Sequence, residues 1–210
     1  MFNIDTGSNS SDGPWLAWSA RGTQDGSVPA RTFFIRESTG KTPTQALDKG
    51  VVMDIHNMKT GWQRSDGVVG QAPEWRWNAS VTQMMQSPGE DWKKGFSIRC
   101  AIGGGATAAW EQSGAAVWDA LVGLAPQLQQ APDSTSLPVV RLKEAKLVQF
   151  KKGSTVTPIL EVIKWVPRPD CLKEGAVAGI AIEPAAPVAP PAPVAPPAPP
   201  APALADDIEF

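Results

Sequence analysis

The chain has 210 residues and a formal net charge of −2, which is not the strongly basic balance of a protein that binds duplex DNA by charge alone. Without the last seven residues, which carry three carboxylates, 19 basic residues face 18 acidic ones. Nine tryptophans and no tyrosine are the unusual part of the composition. Binding of nucleic acid would therefore have to depend on local clusters of basic and aromatic side chains.

The length and the cysteine content narrow the class of protein. About 180 residues remain without the C-terminal tail, which is enough for one domain with a substantial core. Cys100 and Cys171 are not in a C-x-x-C spacing, so neither a metal site nor a disulfide framework is expected. The start of the chain shows no signal-peptide pattern, and no apolar run reaches the ~20 residues of a membrane helix. We therefore expect a cytoplasmic protein with no cofactor, no metal and no membrane partner.

The first half of the chain predicts strands. Period-2 alternation bounded by turn residues favours strands at residues 15–21, 31–36, 50–58, 74–78 and 91–102. In the third of these, Asp54 and His56 are expected to point outward. Residues 41–46 are expected to form a loop, and residues 62–67 an exposed loop or hairpin tip.

The second half predicts one helix followed by two long strands. Gly103, Gly104 and Gly105 end the last of the early strands, and Thr107 is placed to cap a helix. Its apolar positions, which include Trp110 and Trp118, repeat at helical spacing and are expected to face the core. Residues 139–150 and 155–166 then read as strands joined by a hairpin turn at residues 151–154.

This order of elements predicts a mainly β fold. Several strands, one helix and two final strands suit an OB-fold-like five-stranded barrel, with an extra hairpin formed within residues 61–92. The predicted division of the chain is a flexible N-terminus at 1–13, an OB-fold-like domain at 14–168, a Pro/Ala-rich disordered linker at 169–203 and an acidic tip at 204–210.

Aromatic and basic residues alternate in the middle of the chain. A surface for a flexible nucleic-acid strand needs both types, since bases stack on aromatic faces for about 1–3 kcal/mol each while Lys and Arg neutralise phosphates. Trp75 and Trp77 share one face of their strand and Arg76 takes the other. A place in the core stays open for each tryptophan separately. The candidate site residues are Lys59, Trp62, Arg64, Trp75, Arg76, Trp77, Trp92, Lys93, Lys94 and Arg99.

Two further tryptophans near the start of the chain are separated by three positions. Trp15 and Trp18 therefore lie on opposite faces of the first strand, so one is expected in the core and the other outside. Arg21, Arg31 and Arg36 could extend a basic groove or could simply be surface charges at a sheet edge. The sequence does not decide between these two interpretations.

The C-terminal tail predicts a spacer that ends in a docking peptide. Ten prolines fall within residues 184–203, and each one fixes φ and removes a backbone donor, which favours extended polyproline II. At roughly 3.1 Å per residue, this run spans up to about 60 Å. Beyond it lie Asp206, Asp207, Ile208, Glu209 and Phe210, a set of acidic and apolar groups suited to binding elsewhere.

The body, the Pro-rich linker and the acidic tip closing on Phe together resemble bacterial and phage single-stranded-DNA-binding proteins. Residues 15–21, 31–36 and 158–165 are similar to an OB-fold family of such phage proteins. At the tip, Asp206, Asp207, Ile208 and Phe210 match the bacterial pattern, while Glu209 stands where proline is usual.

The resemblance implies a non-enzymatic protein. Such a protein binds and protects single-stranded DNA, with little sequence preference, during replication, recombination and repair. The tip would recruit other replication and recombination proteins and would compete with DNA for the basic groove. Host cytoplasm is the expected location if the chain is phage-encoded, and oligomeric state, including a homo-oligomer, stays open.

The sequence leaves two alternative functions open. The first is an adaptor whose Pro-rich run binds an SH3-like or WW-like groove, although basic residues flanking its repeats are absent. The second is a nucleic-acid-processing enzyme. Against it, His56 is the single histidine, and the acidic residues show no spacing typical of a two-metal nuclease.

Overall fold

A computed structural model describes residues 13–65, 72–150 and 153–173 of the chain. The described part is mainly β, as the sequence predicts. The ten strands are β1 (Trp15–Ser19), β2 (Thr32–Glu37), β3 (Gly40–Pro43), β4 (Val51–Met53), β5 (Lys59–Arg64), β6 (Glu74–Trp77), β7 (Lys93–Gly103), β8 (Ala106–Ser113), β9 (Leu137–Phe150) and β10 (Gly153–Val166). The helices are α1 (Ala46–Lys49) and α2 (Ala115–Leu128), with 3-10 turns at Ile55–Asn57 and Asp170–Leu172.

All ten strands belong to one mixed sheet. Its main path runs β10-β9-β4-β7-β8-β1-β2-β3, and β5 with β6 is attached beside the first half of β7. The β1–β8 pair is parallel, and the other pairs are antiparallel. The sheet thus has more strands than the predicted five-stranded barrel with one extra hairpin. An N-terminal meander, β1 to β3, accounts for part of the difference.

The core lies between one face of the sheet and α2. Trp110 is fully buried at its centre, with edge-on contacts to Phe33 at 5.4 Å and Phe96 at 4.9 Å between ring centroids. Helix α2 adds an apolar stripe that includes Leu121 and Leu124, spaced to return to one face of the helix. Burial of these three rings stabilises the fold, because each ring removes a large apolar surface from water.

Side-chain hydrogen bonds connect two strands that are not neighbours in the sheet. Trp18, at the end of β1, is almost fully buried, and its indole Nε1 donates to the carbonyl of Val156 on β10 at 2.9 Å. Gln112 on β8 holds the same residue in place by bonding both the N–H and the carbonyl of Trp18. The sheet therefore curls far enough to bring β1 to β10 around the core. This confirms that one of Trp15 and Trp18 is a core residue.

The predicted start of the helix is wrong. Residues 106–113 form β8, and Trp110 is a strand residue rather than a helical one. Gly103, Gly104 and Gly105 all have positive φ, from 57° to 105°, which suits glycine and reverses the chain into a tight β7–β8 hairpin. Pairing with β7 overrides the helical preference of the alanines in this run. Helix α2 begins after Gly114, and the partly buried Trp118 packs against the core as expected.

Three other local predictions are also wrong. Residues 40–43 form β3 and not a loop, and the expected exposed loop at residue 62 is part of β5. The predicted strand 50–58 is only three residues long, after which Asp54 turns inward and is 1% exposed. Its burial is possible because Arg168 forms a bidentate ion pair with the Asp54 carboxylate. The distance from Arg168 Nη2 to Asp54 Oδ1 is 2.8 Å.

The described chain ends against the body. Leu172 is 1% exposed and forms a small second core with Ala101 and Leu137 on the side of the sheet away from α2. Residues 1–12 and 174–210 lie outside the described residues. They include nearly all of the predicted linker and the whole acidic tip. Within the described ranges, no helix is long and apolar enough to cross a membrane.

Candidate functional site

Strand register assigns each side chain of the central sheet to one of two faces, because directly paired residues point to the same side. One face carries Phe96, Ile98 and Trp110 into the core. We call the opposite face of β1, β2 and β5 to β8 the outer face. Its polar, aromatic and glycine members are Trp15, Arg36, Lys59, Gly61, Gln63, Trp75, Trp77, Lys93, Gly95, Ser97, Arg99, Glu111 and Ser113.

Two stacked indoles dominate this face. The rings of Trp75 and Trp77 lie 4.2 Å apart between centroids with an interplanar angle of 8°. Both side chains are half-buried, so part of their ring surface stays open to water. Glycine makes room for the pair: a Cβ on Gly95 would lie 2.8 Å from Cη2 of Trp75. The Trp75 ring thus extends from β6 across β5 to β7, and this contact fixes the orientation of the ring.

Basic side chains share the outer face with the indole pair. Lys59, Lys93, Arg99 and Arg36 are all exposed members of the outer face. Arg36 also lies over the ring of Trp15, its cross-strand partner, with 5.1 Å from the guanidinium carbon to the ring centroid. This face therefore offers both the aromatic surface and the fixed positive charge that a polyanion with flat rings requires.

A carboxylate lies in the middle of these groups. Glu111 on β8 is the direct cross-strand partner of Ser97. Burial raises the pKa of Glu111, against the lowering effects of a Ser97 hydrogen bond, the Trp75 indole and the charges of Arg36 and Lys59. The Trp75 Nε1–H lies near this carboxylate without a hydrogen bond of normal geometry.

The structure divides the ten candidate residues between the two sides of the sheet. Five of them, Lys59, Trp75, Trp77, Lys93 and Arg99, lie on the outer face. The other five lie on the opposite side, beyond the edge of the core: Trp62, Arg64, Arg76, Trp92 and Lys94.

The second group makes mostly internal contacts. Trp92 is 8% exposed, and the guanidinium groups of Arg64 and Arg76 lie 5.4 and 4.8 Å from its ring centroid. Both arginines also contact the carboxylate of Glu74. Trp62 donates its indole N–H to the carbonyl of Met85 at 3.0 Å. These contacts brace the β5–β6 hairpin and the loop that follows it.

The sequence does not assign three members of the outer face. It leaves Trp15 undecided between core and surface and Arg36 undecided between a basic groove and a sheet edge, and no pattern in it singles out Glu111. Strand parity already contained part of the signal, since Trp15 and Trp18 had to face opposite ways. The parallel pairing of β1 with β8 brings Trp15 beside Ala109. These residues are 94 positions apart, so no local pattern in the sequence predicts the contact.

The described residues hold no group of three or more His, Cys, Asp or Glu side chains suited to a metal ion. Cys100 is buried, and burial raises the pKa of its thiol to about 12, which makes it a poor nucleophile. His56 is exposed, with a ring nitrogen 3.2 Å from the carbonyl of Ser136.

Comparison of the chain with known proteins identifies no relative. No family model matches the sequence, and no curated protein or solved structure is similar to it. The function therefore has to be argued from the geometry of the outer face.

Proposed function

We propose that the protein binds single-stranded DNA on the outer face. One observation carries the proposal: a stacked Trp75–Trp77 pair lies among exposed Lys and Arg side chains on an accessible sheet surface. Unpaired bases can stack on the open indole surface while the cations follow the phosphates. Every base has an aromatic face, so such a surface binds DNA with little sequence preference.

The order of elements supports an OB-fold-like reading of the sheet. The β4–β5 segment, β7 and β8 precede α2, and β9 and β10 follow it, which gives three strands, a helix and two strands. In OB-folds the oligonucleotide lies on the face of the second and third strands and between the flanking loops. Those strands correspond to β7 and β8, which carry Lys93, Arg99 and Glu111 of the outer face. On this reading β1 to β3 and β6 are additions to the barrel.

In this mechanism the protein coats transient single strands during replication, recombination and repair. Duplex DNA binds poorly, since its bases are stacked inside the helix and cannot reach the indoles. Part of the binding free energy comes from counterions released as Lys and Arg neutralise phosphates. The affinity should therefore fall steadily as salt is added.

The charged members of the outer face give a direct test. Replacing Lys59 by Gln removes one exposed cation and should lower the slope of log affinity against log salt by about 1, with weaker binding of every sequence. Lys49→Gln is the matched control: Lys49 is also exposed, but α1 packs its Leu47 into the core on the other side of the sheet. Equal slopes for the two variants in a fluorescence titration with oligo-dT would place the DNA elsewhere.

The acidic tip is the second part of the proposal. Asp206, Asp207 and Glu209 can mimic phosphates, and Ile208 and Phe210 add apolar groups that a partner protein can bind. DNA and the tip then compete for the same basic surface. Occupation by DNA releases the tip to recruit replication and recombination proteins.

Removal of residues 204–210 should tighten binding of oligo-dT at low salt and abolish capture of partner proteins. The gain in affinity should shrink as salt rises, because screening weakens the tip's own attraction to the cations. A variant with Asp206 and Asp207 changed to Asn retains Phe210 and separates the charge effect from the apolar one. Unchanged DNA affinity of the truncated chain at low salt would rule out competition by the tip.

A further inference from the structure

A cavity lies on the side of the sheet opposite the outer face, where the start of β7 meets α2 and the end of β9. Its volume is about 590 Å³, within the range of ligand pockets in proteins. The side chains that define it are Lys93, Lys94, Ala115, Trp118, Val122 and Phe150. It is thus an apolar cavity with two aromatic side chains and two lysines in its lining.

Lys94 lies between an indole of the cavity lining, Trp118, and the indole of Trp62 on β5. Its ammonium group lies 5.8 Å from the ring centroid of Trp62 and 5.7 Å from that of Trp118. The lysine is exposed, so its charge is available to a ligand as well as to the two indoles. A cation held beside aromatic rings is the combination that binds a base together with its phosphate.

Lys93 is shared by the cavity and the outer face. Lys93 belongs to that face through its pairing with Gln63, which is itself paired with Trp75. The same Lys93 also lines the cavity. A DNA strand that runs from the Trp75–Trp77 pair past Lys93 therefore reaches the cavity, where Lys94 lies next. Asp119 is the one carboxylate among the lining residues.

We propose that this cavity is a second nucleobase subsite, which holds one unstacked base beside Trp118 and Phe150 and its phosphate at Lys94. The inference rests on the proposed binding of single-stranded DNA and extends its path from the outer face around the start of β7 to α2.

The test is a substitution that fills the cavity and changes no residue of the outer face. Ala115 is exposed at the first position of α2, so Ala115→Phe puts a ring into the cavity without disturbing the core. Ala125→Phe is the matched control, since Ala125 is exposed on the same helix and does not line the cavity. Both variants are titrated with an oligo-dT length series covering the roughly 4–16 nucleotides expected for one OB-fold.

The filled variant should bind long oligo-dT about fivefold or more weakly, and its affinity should reach a plateau at an oligonucleotide about one or two nucleotides shorter. Ala125→Phe should behave like the wild type. Lys94→Gln provides an independent variant that leaves the apolar lining intact, and it should weaken long but not short oligo-dT.

Three results would overturn the inference in distinguishable ways. If Ala115→Phe and Lys94→Gln bind the whole series like the wild type while Trp77→Ala binds weakly, the cavity is not a DNA subsite although the outer face is. If none of these variants changes binding, the proposed function fails as well. If Ala115→Phe retains DNA binding but loses a synthetic peptide of residues 204–210, the cavity takes peptide instead of a base.

Discussion

Trp77→Ala should weaken the binding of a long oligo-dT by about fivefold or more, because one base loses an aromatic partner worth about 1–3 kcal/mol. Part of the tryptophan fluorescence quenching on DNA binding should disappear with it. Trp77 is the better choice for this change, since Trp75 also packs over Gly95 and its loss would disturb the sheet. The affinity and the quenching are both read from one fluorescence titration.

Trp165→Ala is the matched control for this substitution. Trp165 is also half-buried, but it lies on β10 at the far end of the sheet path from the outer-face strands. Its removal should leave oligo-dT affinity unchanged. Equal losses for both variants, or none for either, would show that the stacked pair is not the binding platform.

Arg168→Met should lower the free energy of unfolding by about 3 kcal/mol or more at neutral pH. The substitution leaves the carboxylate of Asp54 buried without its bidentate partner, and breaking a buried ion pair from one side costs about 3–5 kcal/mol. Asn57, which donates to Asp54 at 3.0 Å, can replace only part of this interaction. Urea unfolding of the two proteins measures the difference.

The difference should shrink in acid. Burial alone would raise the pKa of Asp54, but hydrogen bonds from Arg168 and Asn57 outweigh it and hold the pKa below its ordinary value of 3.8. A carboxyl with a lowered folded-state pKa stabilises the protein above its unfolded-state pKa and loses that contribution as the pH falls through the folded value. The wild type should therefore lose its advantage over Arg168→Met below about pH 4. A difference that stays constant with pH would contradict this account of the ion pair.

The same ion pair shows where sequence reasoning stops. Asp54 was expected on the outside because it alternates with Val51 and Met53, which do face the core. The partner that draws it inward, Arg168, is 114 positions away and leaves no local pattern. Trp110 was placed on a helix for a related reason: the alanines around it favour helix, while pairing with β7 decides the outcome.

The alternation of side chains along a single strand predicts correctly which residues share a face, where the alternation continues on both sides of the residue. Phe96, Ile98 and Cys100 were expected to share a buried face and do so. Trp75 and Trp77 were expected on one face with Arg76 on the other, and the register confirms this. The division of the candidate cluster could not be read the same way, because it depends on how β5, β6 and β7 pair. Lys93 and Lys94 are adjacent in sequence, yet register assigns them to opposite faces.

An equilibrium titration of the wild-type protein with oligo-dT and with a duplex of the same length, across about 50–200 mM salt, tests the central claim most directly. We expect the single strand to bind more tightly than the duplex at every salt concentration, to quench tryptophan fluorescence, and to lose affinity linearly in log affinity against log salt. Binding of the duplex as tightly as the single strand, or single-strand binding that leaves the fluorescence unchanged, would contradict the assignment of the outer face to unpaired bases.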